Sequence, residues 1–347
     1  MSRLCVALLL LSGLAACVPT QDTEERLYVT SGFTDEVLQL DPATGRIVQR
    51  VSLDRRPHDV DEPHGIAIAP DSRHWYATVA HGEPSLWKFE LPDNRLVGRL
   101  GLAMAGAARI GITPDSRRAF IPDYFRSGGG NDSHVTVVTL RDLTVVERLT
   151  VCPGPHDAQV DAGGSLVAIT CSLGDEIVII DAETLDVVAR FPVDEEPGPA
   201  GSPRFKPLNA VWSRGADTLF VSLHLAGEVR MFDISGRQLG AVTVEAGPAQ
   251  LALSPDGGTL VTANRKDRSA SIVDVQTLSA RRVAVEGEHP HGVTIEPGGR
   301  TAFLTYEGDV RHPGGVAAID LDSGTVVWQA EAGAYTLGVA YVRAPGP

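Results

Sequence analysis

Along most of this chain short apolar runs alternate with polar turn clusters, and no segment beyond the first twenty residues keeps the 3.6-residue period of a helix. "EPHGIAIAPDSRHWYATVAHG", residues 62–82, is representative. Its first half alternates apolar and polar positions, Pro70-Asp71-Ser72 turns the chain, and the second half returns as a strand. Neighbouring strands lie roughly 4.8 Å apart, so a hairpin of this form sets His64 across from His81 at its open end.

The phrase recurs as "PHGIAIAPDS" at 63, "AARIGITPDS" at 107, "PHDAQVDAGG" at 155, "PLNAVWSRGA" at 207, "PAQLALSPDG" at 248 and "PHGVTIEPGG" at 290, a spacing of roughly 40 to 50 residues. After each comes a second strand such as "TLVTAN" or "AFLTYE", a third ending in acid, as in "IVIIDAETLDVVARF" and "VAAIDLDSGTVVWQA", and then a fourth. Four antiparallel strands per period of this length are the mark of a propeller blade. The chain opens inside the pattern with "LYVTSGFTDEVLQLDPATGRIVQRV", which lacks its first strand, and closes with "YTLGVAYV", a first strand lacking the rest. The C-terminal strand therefore completes the N-terminal blade, predicting an all-β fold, a seven-bladed β-propeller of four-stranded antiparallel blades over residues 26–344.

Composition agrees, with Gly 36 and Pro 23 spread along the whole chain. The net charge of -14 argues against nucleic acid or anionic lipid as the main partner, and nothing in the pattern calls for more than a monomer. No Ser-His-Asp order, phosphate loop, Cys-x-x-Cys-His haem motif or nucleotide fingerprint is present.

Residues 1–16 read as a leader: Arg3 forms a small positive region, "VALLLLSG" an apolar one too short to span a bilayer, and "LAAC" follows at 14–17. Leu14, Ala15, Ala16 and Cys17 resemble the bacterial lipoprotein signal. That resemblance implies cleavage before Cys17, a lipid on Cys17, a short polar tether over 17–25, and a propeller anchored to a membrane of the bacterial cell envelope. A plain secretory signal is the alternative. Two cysteines then remain, Cys152 and Cys171, flanking the first two strands of the fourth blade; either they pair in an oxidising compartment, or a Cys171 thiolate beside His156 serves as a soft copper ligand.

"LYVTSGFTDEVLQLDPATGRIV" and "LALSPDGGTLVTANRKDRSASIVDVQTL" are similar to the YVTN repeat of the YncE-like seven-bladed β-propellers, a resemblance covering roughly residues 26–344. It is specific for fold and says little of function, since propellers host very different chemistries.

The repeat separates structural from chemical residues. Asp41, Asp181, Asp233, Asp274 and Asp320 recur at one place in the blade, where a carboxylate accepts backbone N–H groups of the turn joining the third and fourth strands. His64, His156 and His291 share another place, after the Pro that opens the innermost strand, where the other blades carry Ala108, Leu208, Ala249 and Leu337. His81 and His224 end second strands on the same face, with Cys171, Tyr124, Arg265 and Glu307, and all of the ten histidines except His74 fall on that side.

Neutral imidazoles suit a transition metal, so His64, His156, His291, His81 and His224 are the expected ligands, for copper ahead of zinc or calcium. Nitrous-oxide reductase, with a histidine-ligated copper cluster at a propeller hub, and the selenium-binding/methanethiol oxidase proteins resemble this outline, which supports copper; their motifs do not match this chain residue by residue. The next hub position reads Gly65, Arg109, Asp157, Asn209, Gln250, Gly292 and Gly338; Arg109, Asp157, Asn209 and Gln250, with Glu307 and Cys171, are expected as supporting groups or ligands. Three functions follow: a ligand- or metal-binding envelope propeller, a metal-dependent oxidoreductase or lactonase-type hydrolase at the hub, and a metal-free scaffold for an unknown protein or small molecule.

Overall fold

The computed structural model describes residues 23–55, 58–124, 130–308 and 311–345; the expected leader and Cys17 lie outside the described residues. Seven four-stranded antiparallel sheets form the molecule, and in each the strands follow one another in chain order from hub to rim. The exception is the first blade, whose innermost strand is the C-terminal Thr336–Pro345, paired with Thr23–Ser31 in a register that sets Leu27 opposite Tyr341. The seven-bladed propeller and its closure by the last strand are thus as the repeat predicts. Among the described residues the only helical element is the short turn Gly32–Thr34.

The apolar pattern is explained by where the cores lie. Seven clusters of buried side chains each join two adjacent blades: Phe120, Val135 and Val137 of the third pack on Val167, Ile169 and Val178 of the fourth, and Leu27 and Leu38 of the first pack on Phe303 and Val316 of the seventh. A middle strand is therefore covered on both faces, and "EIVIID", Glu176–Asp181, is buried at every interior position. The rim strand next to it, Val187–Pro192, is mostly exposed. Alternation holds best at the rim; the second and third strands are continuous apolar runs because sheet stacks on sheet.

At the hub the blades are latched by one recurring hydroxyl. Thr305 accepts the N–H of Gly292 in its own blade (2.8 Å) and donates to the carbonyl of Leu337 in the next (2.6 Å). Thr30, Thr78, Thr170 and Ser222 repeat this toward His64, Ala108, Leu208 and Ala249. The inner strands carry register shifts at this point, as between Pro290 and Val293, and the hydroxyl satisfies the backbone groups that the bulge leaves out of the ladder. The third blade departs from the repeat: its regular inner strand is reduced to Gly111–Ile112, with an isolated bridge from Ala107 to Asp123. There the Asp123 carboxylate takes over the role of a ladder, accepting N–H groups from Ala105 and Gly106.

A histidine-lined funnel at the hub

The hub opens on one face into a cavity of about 200 Å³ lined by His64, His156, His224, His291, Tyr124, Tyr335, Lys206, Arg265, Glu307 and Gln250, with Leu208 and Ala249. Four of the five expected ligand histidines meet there, and all four are buried. His74 sits at the other end of its strand, opposite Glu90.

Each imidazole is oriented by a neighbour. The Nδ1 of His156 lies 2.6 Å from the carbonyl of Leu208, and that of His224 lies 3.3 Å from the carbonyl of Pro248, so each donates there. His64 turns Nδ1 toward a carboxylate oxygen of Glu62 at 3.2 Å. The Nδ1 of His291 is 3.5 Å from Gln250 Nε2. His64 and His291 stand edge to face with ring centres 5.8 Å apart, and Tyr124 stands edge-on to His156 at 4.7 Å.

Burial, then the proximity of His64, holds His156 and His291 well below the usual imidazole range. Burial, then Lys266 and Lys206, lowers His224 to about 4. These three are neutral at pH 7 and present nitrogen lone pairs rather than charge. Burial, then the nearby carboxylates Glu307 and Glu62, pushes the Tyr335 phenol up to about 12, so its O–H is retained.

His81 does not join the funnel. Its Nε2 lies 3.2 Å from the second oxygen of Glu62, so the carboxylate bridges His81 to His64, and the hairpin's two histidines are joined through an acid rather than to each other. Cys171 is likewise corrected as a ligand: it is bonded to Cys152 (S–S 2.00 Å), which leaves no thiolate and ties the rim strand of the third blade to the second strand of the fourth.

The polar residues one position further along the inner strands form a band below the histidines. Arg109 faces Asp157 at 3.2 Å, Asn209 donates its amide to Asp157, and the Asn209 carbonyl accepts the N–H of Leu251 at 2.7 Å. Burial raises Asp157 against the opposing pull of Arg109. Where the band has glycine instead, backbones crowd: a β-carbon on Gly292 would sit 2.3 Å from the carbonyl of Leu337, and one on Gly65 2.5 Å from that of Ala108. Glu307 is held by Arg265 through two contacts of 2.7 Å.

Glu62, Lys206 and Tyr335 were missed by sequence reasoning although they sit at equivalent places. Each precedes an innermost strand with left-handed backbone (φ 54°, 55° and 59°), as do Gly154, Gly247 and His289. The carbonyl of this residue accepts an N–H from just beyond a second strand, as from Ala80 to Glu62 and from His224 to Lys206, which pins it at the funnel rim. A non-glycine residue at that place in the repeat is the signal that would have found them.

Among the described residues the groups whose ligand atoms all lie within 4.8 Å of one another are Cys152, Cys171 and Glu176, and Asp35, Asp54 and Asp61. The first contains the disulfide, and in the second Asp35 accepts the N–H groups of Asp61 and Glu62, holding the turn that carries Glu62. The hub imidazoles are spaced more widely than these.

No protein-family model matches the chain. One curated relative, the WD repeat-containing protein dyf-2 of Caenorhabditis elegans, is 30% identical over 98 residues, and the match spans 27% of this chain and only 7% of that protein's length. Solved structures align over nearly the whole chain. A Pseudomonas aeruginosa periplasmic gluconolactonase is 19% identical at a TM-score of 0.68, covering 93% of this chain and 100% of its own. A Lactobacillus plantarum protein is 14% identical at 0.74, covering 92% and 100%. Kuenenia stuttgartiensis hydrazine synthase is 15% identical at 0.67, covering 84% and 98%. Likeness at this level of identity shows the fold alone, and what these chains share with this one is the propeller fold.

Proposed function

We propose that the funnel is a transition-metal site, copper first, in a propeller anchored to the bacterial cell envelope, with His64, His156, His224 and His291 as ligands. The observation that carries this reading is the orientation shared by three of the four imidazoles. His156 and His224 spend Nδ1 on backbone carbonyls and His64 on the Glu62 carboxylate, the arrangement by which metal-binding histidines are held and their tautomer fixed. Two imidazoles on one ion at metal–nitrogen distances near 2.0 Å place their ring centres roughly 5 to 6 Å apart, and His64 and His291 stand at 5.8 Å. The low proton affinity of His156, His291 and His224 removes the competitor that a metal must displace. A buried disulfide supports an oxidising compartment, in keeping with the leader read at residues 1–16.

The test is metal content by mass spectrometry on protein beginning at Val18 and made in a periplasm supplied with copper and zinc, beside the His64→Ala/His156→Ala/His291→Ala variant. Near-stoichiometric metal in the parent and none in the variant supports the site. Metal-free parent protein that also fails to take up copper in vitro overturns it.

A second reading has its own observation in the neutral His156 imidazole beside Tyr124 and in Lys206 across the same cavity. A gluconolactonase stands among the structural neighbours, and such a pair suits lactone hydrolysis without metal: the imidazole takes a proton from attacking water, the ammonium faces the developing oxyanion, and the proton passes to the leaving ring oxygen as the C–O bond breaks. Chelator-resistant hydrolysis of gluconolactone, abolished by His156→Ala, would favour this reading over the first.

A further inference from the structure

From the charges around the funnel we infer that its second ligand is a small oxyanion, a carboxylate or phosphate group, seated on Lys206 on the side of the cavity formed by the fifth and sixth blades. The inference deepens the metal reading and rests on it for the added charge of the ion.

The carboxylates near the funnel are already engaged. Glu307 is clamped by Arg265, Asp157 lies against Arg109, and Glu62 bridges His64 and His81. Arginine neutralises the first two, and the single charge of Glu62 falls short of the two on a divalent ion and the one on Lys206. Lys206 lines the same cavity and, among the described residues, makes no ion pair with a carboxylate. Its backbone is fixed at the rim, with N–H donated to Asp175 at 2.7 Å and carbonyl accepting from His224, so the side chain cannot drift far from the cavity.

The remaining polar lining groups are the phenols of Tyr124 and Tyr335 and the amide of Gln250, each of which carries a donor. A divalent ion on neutral imidazoles would therefore leave a strongly cationic, largely buried cavity, and a buried charge without a counter-charge is costly. An oxyanion that reaches both the ion and Lys206 resolves this. The cavity limits its size, since 200 Å³ is the space of about seven waters.

The experiment uses copper-loaded and metal-free protein, with sodium acetate and inorganic phosphate as probes and acetamide as the neutral control, read by titration calorimetry and by the copper absorption band. Acetate or phosphate should bind and shift the band, acetamide should do neither, and the stronger of the two anions identifies the group. Lys206→Met should weaken anion binding by about 10- to 100-fold, the value of a charge-assisted contact, and Lys206→Arg should restore most of it. Anion binding unchanged within about twofold in Lys206→Met, or acetamide binding as well as acetate, overturns the inference. If no copper loads, the metal reading falls separately, and the metal-free titration still decides: Lys206-dependent anion binding supports the oxyanion site, and its absence overturns it.

Discussion

The two ends of the blades are built on opposite plans. At the turn between third and fourth strands, five blades place an aspartate in one position, and each accepts N–H groups from its own turn: Asp41 from Ala43, Asp181 from Glu183, Asp233 from Ser235, Asp274 from Thr277 and Asp320 from Ser323. At the hub funnel the equivalent positions differ from blade to blade, and their side chains reach across blades: His156 to Leu208, Asn209 to Asp157, Arg265 to Glu307. Repetition marks residues that every blade needs for its own turns or for the seam with its neighbour. Departure from repetition, gathered in one cavity, marks residues that no single blade needs and that the ring uses together.

The sharpest way to break this contrast is to cut a hub latch. Thr305→Val strands a buried donor on Gly292 and a buried acceptor on Leu337, at about 1–3 kcal/mol each, so a loss of about 4 kcal/mol is expected in urea unfolding. A midpoint unchanged from the parent would show that the latch is ornamental. The disulfide comes next. With Cys152 and Cys171 at a sequence separation of 19, replacing both by serine should lower stability by about 3 kcal/mol, and dithiothreitol should reproduce the loss in the parent.

A third prediction uses acid on metal-free protein. His224 protonates near 4 in the folded state and close to 6.5 when unfolded, so the unfolded chain binds the extra proton first as pH falls. Stability should be full above pH 6.5 and decline on the order of 3 kcal/mol toward pH 4, and His224→Gln should flatten that decline. A parent and variant with parallel pH curves would place the loss elsewhere. The gentlest test sets one end against the other. Glu62→Ala frees the rings of His64 and His81 and should weaken copper binding by about 10- to 100-fold, with Glu62→Gln recovering part of it. Asp320→Ala at the far turn should cost no more than about 1 kcal/mol and leave copper affinity alone.

Sequence periodicity by itself determined the blade count, the closure by the C-terminal strand, the turn role of the recurring aspartates and the convergence of His64, His156 and His291. These follow from a repeat that places like positions in like surroundings, so local chemistry and a count suffice. Tertiary structure decided the rest. Cys152 and Cys171 were legible as a pair or as ligands, and only the distance between two blades chose the bond. His81 shares a hairpin with His64, yet the Glu62 carboxylate at the rim takes it out of the funnel. Lys206 and Tyr335 enter the cavity because a left-handed residue before each inner strand aims at the axis, a direction that no one-dimensional pattern carries. A repeat states where a residue sits in its own blade; which residues of other blades it meets depends on how the ring closes.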